Sequence, residues 1–164
     1  MSREMKQYVV RLLESYRSDM QHIAILRYEL AHPQQVLPTE MLEALALARG
    51  DGSRGNSGYI SDKTYYIAMN YQEKAEYVNS ENVSSIAKEL RQLEQKVERL
   101  DRCISQLLPA QQSVIRGIYF ANMGLKSLAE ELHLSERTLQ RYKEKAVDEL
   151  TAMYGTLSKA GVPI

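Results

Sequence analysis

Arg137, Gln140 and Arg141 are the residues of this chain whose types and spacing could do chemistry. Two guanidinium groups four residues apart share one helical face, a single turn from each other. A guanidinium can fork onto the O6 and N7 acceptors of guanine, and a primary amide can pair with adenine. With Thr138 between them, Arg137, Gln140 and Arg141 are expected to contact base edges in a DNA major groove. Arg116, Lys126, Ser135, Lys143 and Lys145 have the donors that suit phosphate oxygens. No other constellation competes with this one. His22, His32 and His133 are scattered and lack metal-ligand spacing. Cys103 has no histidine near it in sequence, which argues against a nucleophile. No Gly-rich phosphate loop follows a strand, because no convincing strand is present. The chain reads as a non-enzyme that implies no cofactor and no metal.

Base-reading side chains need a helix held rigidly at the groove, and Leu125–Tyr142 has the pattern of a helix-turn-helix. Ser127 is expected to cap its first helix, in a capping-box pattern with Glu130. Leu128, Ala129 and Leu132 are expected to face inward, with Ala129 allowing two helices to cross closely. His133 falls at the turn, where the backbone often takes a left-handed conformation that histidine tolerates better than most residues. Leu134 plugs the turn, Ser135 caps the second helix, and Leu139, Tyr142 and Ala146 return to the core. Glu136, Arg137, Thr138, Gln140, Arg141 and Glu144 are left facing outward.

The remaining elements are also helical, so the fold class is all-α. Residues 1–49 form an N-terminal helical segment, whose first helix stops at His32-Pro33 because a residue before proline is pushed out of the helical region. A second short helix is expected from Thr39. Residues 50–58, GDGSRGNSG, read as a flexible linker. Residues 59–107 read as a long helix or a helix pair, with a cap at Ser61 and a candidate break at Asn79-Ser80. Within it Val83, Ile86, Leu90, Leu93, Val97, Leu100, Ile104 and Leu107 follow alternating steps of three and four, a heptad seam. Such a seam predicts a homodimer or higher oligomer, or else antiparallel packing on the N-terminal helix of the same chain. Pro109 opens the next helix at its first turn. Residues 108–154 form the helix-turn-helix domain and 155–164 a flexible tail.

Composition limits the partners. The chain has 164 residues with 21 basic and 21 acidic side chains, so any attraction to DNA must come from a local patch. Even residues 109–154 balance, with six of each sign, which makes a single copy a weak DNA binder. One cysteine, no long apolar run and a charged N-terminus together point to a cytoplasmic protein without a membrane span.

The run from Leu107 to Leu150 resembles region 4 of the sigma-70 class of RNA polymerase sigma factors. Leu108-Pro109, Val114-Ile115, Tyr119-Phe120, Leu128-Ala129, Leu132, Ser135, Thr138 and Leu139 carry the resemblance. His133, where glycine is usual, and Gln140-Arg141-Tyr142 depart from the pattern, and no region 2 is visible upstream. The plan of the whole chain is similar to small phage regulators of the ArpU and RinA types, through the loop Gly50–Gly58, Ile60-Ser61-Asp62 with Thr64, and Leu108 onward. The resemblance implies a sequence-specific activator of phage or prophage late genes; double-stranded DNA is the expected partner, with RNA polymerase as a further candidate. Two other functions fit a helix-turn-helix joined to an oligomerising helix. One is a small terminase subunit for DNA packaging; the other is a sigma-like adaptor that docks on polymerase.

Overall fold

In the computed structural model five α-helices are described, α1 (Arg3–Ala31), α2 (Asp62–Ser105), α3 (Pro109–Ile115), α4 (Leu125–Glu131) and α5 (Glu136–Lys159). The structure describes residues 3–37, 39–40 and 62–162, with side chains from residue 73 in the last stretch. No strand occurs among the described residues, and the fold is all-α. Among them no helix is long and apolar enough to cross a membrane. The linker at 50–58, the cap at Ser61 and nearly all of the short helix after Thr39 lie outside the described residues.

Two units are present, Met1–Ile25 with Arg91–Ile164, and Leu26–Leu90. In the first, apolar residues of α1 at steps of three and four meet the end of α2 and the second half of α5. Val9, Leu12 and Leu13 share one core with Leu100, Cys103, Ile104, Leu107, Ile115, Ala146, Val147, Leu150 and Tyr154. Polar pairs fix the register of α1 on α2. Lys96 Nζ lies 2.6 Å from Asp19 Oδ2 and 3.2 Å from Ser15 Oγ. Tyr16 donates its hydroxyl to Asp101 Oδ2 at 3.1 Å, and its ring stacks on Phe120. The pairs Asp19–Lys96 and Tyr16–Asp101 run in opposite chain directions, so the helices are antiparallel.

This packing covers part of the seam within the chain itself. Val97, Leu100, Ile104 and Leu107 are buried in the chain's own core, and Leu90 is buried as well. Val83, Ile86 and Leu93 are half-buried. The antiparallel alternative describes the first unit, where α1 covers the end of the seam at Leu100, Ile104 and Leu107, while Val83, Ile86 and Leu93 keep part of their apolar surface.

In the second unit α2 runs through Asn79-Ser80 without a break. Asn79 turns its amide to an extended stretch, accepting from Val36 N at 2.9 Å and donating to Val36 O at 3.4 Å. Its side chain thereby satisfies backbone groups that no ladder serves, instead of interrupting its own helix. The expected tail is corrected too: α5 continues to Lys159, and Tyr154 is buried.

Candidate nucleic-acid interface

The helix-turn-helix is built on α3. Leu108 has extended backbone and Pro109 opens the helix, as its missing N–H allows. Gln111 is fully buried, its Oε1 accepting from Leu108 N at 2.9 Å and its Nε2 donating to Glu149 Oε1 at 3.0 Å. One side chain thus caps α3 and ties it to α5. Gln112 donates to the carbonyls of Ser105 and Leu107 and so satisfies the open end of α2. Neither glutamine stood out in the sequence; a buried amide looks like any surface glutamine until its neighbours are known.

Past Ile115 the helix widens into one π-turn, Arg116–Phe120, closed by Ala121 N donating to Arg116 O at 2.9 Å. Gly117 is buried there against Leu128. Asn122 at φ 55° ends the turn, and α4 begins at Leu125 behind Gly124. The expected cap at Ser127 is therefore corrected: Ser127 lies inside the helix, and Gly124, without a side-chain acceptor, holds the cap position.

The turn between α4 and α5 follows its sequence. His133 has φ 54°, and Leu134 N donates to Ala129 O at 2.9 Å. Val114, Leu128, Ala129 and Leu139 form the small core beneath, with Ile118, Met123, Leu132 and Tyr142 packed against it. Ser135 caps α5 by accepting from Thr138 N at 3.1 Å, and the two hydroxyls lie 2.9 Å apart. Replacing Ser135 by alanine orphans an N–H at the start of the candidate recognition helix. It should lower the unfolding free energy by about 1 kcal/mol, read from urea denaturation.

Arg137, Thr138, Gln140, Arg141 and Glu144 line one shallow depression on α5. The four residues expected to touch bases thus lie together, with a carboxylate added. Arg137 and Arg141 are exposed, and the Arg141 guanidinium lies 5.9 Å from the Tyr142 ring centre. Gln140 donates from Nε2 to Glu144 Oε1 at 3.0 Å.

The expected phosphate contacts divide. Lys126 and Lys145 are exposed. The Ser135 hydroxyl is engaged as the cap. Lys143 is half-buried, its ammonium 5.4 Å from the Tyr119 ring centre. Arg116 lies 3.6 Å from Asp101 Oδ1 and 5.7 Å from the Phe120 ring centre. Arg116 therefore closes a chain from Tyr16 through Asp101 to Phe120, which ties α1 and α2 to the π-turn. Burial first, then the Asp101 charge, holds the Tyr16 phenol above its ordinary pKa. Burial likewise pushes the Cys103 thiol up, away from the thiolate that nucleophilic chemistry needs.

Neither the comparison with curated proteins nor that with solved structures finds a match. A family model does match, over residues 97–150, and its description is "Sigma-70, region 4". The match begins ten residues before the expected edge at Leu107, within the last turns of α2, where Leu100 and Ile104 join the core of Ile115 and Leu150. Residues 97–150 are thus a sigma-70 region 4-like helix-turn-helix, a domain of the DNA-binding kind.

Proposed function

We propose that this chain is a sequence-specific transcription regulator that sets the first half of α5 in the major groove of double-stranded DNA. The observation that carries the reading is the single depression lined by Arg137, Thr138, Gln140 and Arg141 on a capped helix within the region 4-like match. Arg137 and Arg141 fork onto guanines, and Lys126 and Lys145 engage phosphates. The resemblance to phage regulators of the ArpU and RinA types makes activation of phage or prophage late genes the preferred role.

The balanced charge of residues 109–154 bears on how it acts. Six basic side chains against six acidic ones give weak steering toward DNA. Much of the seam that would have paired two copies is buried in the chain's own core. Support from RNA polymerase at the promoter is one further source of affinity. This favours, as the second reading, an adaptor that docks on polymerase.

Mapping bound DNA with purified wild type, Arg137→Ala and Arg141→Ala tests the proposal. Each substitution should weaken binding by about 1–3 kcal/mol and relax preference at one position of the site. Unchanged sites, affinity and salt dependence in both variants would remove α5 as the reading helix. Capture of polymerase by wild type without DNA would then favour the adaptor.

A further inference from the structure

We infer that Glu144 is a specificity-determining residue: it holds the amide of Gln140 in the orientation that reads adenine and disfavours guanine. The inference rests on the proposed placement of α5 in the major groove. Gln140 and Glu144 are one helical turn apart and line the same depression as Arg137 and Arg141. Gln140 Nε2 donates to Glu144 Oε1 at 3.0 Å.

A primary amide carries one carbonyl oxygen and two N–H groups. Adenine offers N6–H as donor beside N7 as acceptor, so it pairs with the oxygen and one N–H. Guanine offers only acceptors there, O6 and N7, so it calls for the amino end of the amide. A free glutamine can turn either end toward the base. An ionised carboxylate accepts but cannot donate, so its bond must take an N–H. With one N–H held by Glu144, the oxygen and the other N–H remain, the pair that adenine requires. Presenting the amino end to guanine would mean breaking a charge-assisted bond. The same carboxylate adds negative charge close to the DNA, so it lowers affinity for every sequence while sharpening the choice at one base.

Selection from a randomised duplex library with the full chain tests this, comparing wild type, E144A, E144Q, Q140A and R137A. Glu144 is exposed, so the fold should tolerate all its variants, and thermal melting checks each one. E144A should lower the adenine-to-guanine ratio at one position by roughly twofold to tenfold, within the range of a surface pair and a charge-assisted bond. Affinity for unrelated DNA should rise. Q140A should lose preference at that same position. E144Q can donate as well as accept, so it no longer fixes which end of the Gln140 amide faces the base and should lower the adenine-to-guanine ratio toward that of E144A. The inference fails if E144A leaves the ratio unchanged, or if E144A and Q140A alter different positions. In either case sites that still depend on Arg137 keep the major-groove reading intact. If wild type enriches no site, that reading and the inference fall together.

Discussion

Replacing Leu13 by alanine lowers the unfolding free energy by about 2–5 kcal/mol, the range for emptying a buried leucine site. The substitution lies on α1, more than a hundred residues before the recognition helix, yet its effect should reach DNA binding. Leu13 is fully buried in the core that contains Ile115, Ala146, Leu150 and Tyr154. The cavity opens between α1 and the helices that carry the DNA-binding surface, where close-packed neighbours relax only in part. A domain of ordinary stability, about 5–15 kcal/mol, has little to spare for such a loss. DNA affinity should therefore fall at growth temperature, in step with the unfolded fraction, and recover on cooling. Ile25→Ala is the control on the same helix. That side chain is 59% exposed, and its removal should change stability by no more than about 0.5 kcal/mol. Urea denaturation followed by circular dichroism, with DNA binding at two temperatures, separates the cases. Wild-type stability in Leu13→Ala would mean that α1 is not part of the DNA-binding unit.

That prediction was out of reach of the sequence, and the reason is physical. The step pattern of α1 and the heptad seam of α2 were both legible, because each records which face of a helix avoids water. Neither pattern records what covers that face. A seam of Val97, Leu100, Ile104 and Leu107 suits a second copy and a helix of the same chain equally well. Polar pairs more than eighty residues apart in sequence, such as Tyr16 with Asp101 and Lys96 with Ser15, help set the choice. Local backbone chemistry was easier to read. Ser135 caps α5 and His133 adopts positive φ, since both depend on residues within a few positions. The start of α4 shows where that reading fails. Ser127 has the right chemistry for a cap, but the helix starts at Leu125 after Gly124, because the π-turn and Asn122 set the chain direction first. The four candidate base-reading residues were legible for the same local reason, being spaced on one face. The bond from Gln140 to Glu144 was not, since spacing alone does not say which of several partners an amide takes.

Gly117→Ala should destabilise the helix-turn-helix by about 1–3 kcal/mol, although alanine is the better helix former. The propensity gain in an ordinary helix is about 1 kcal/mol. Against it stands the space. A Cβ at position 117 would lie 2.5 Å and 2.7 Å from the two methyl carbons of Leu128 and 3.2 Å from its Cγ. Leu128 is 2% exposed and packs with Val114, Ala129 and Leu139, so it cannot swing clear. The clash instead pushes α4 away from the π-turn, and α4 in turn supports the first half of α5 through Leu139. DNA binding should fall along with stability. A second substitution decides whether Leu128 is the cause. Leu128→Ala alone should cost about 2–5 kcal/mol through the cavity it leaves. In the double variant the methyl added at position 117 enters part of that cavity, so the two costs should fall short of their sum by about 0.5–3 kcal/mol. Urea midpoints at constant slope give all three values. Additive costs would place the strain of Gly117→Ala elsewhere than on Leu128. A Gly117→Ala protein as stable as wild type would show that the π-turn can move away from α4 freely. The close approach of these two elements would then have no part in holding the recognition helix in place.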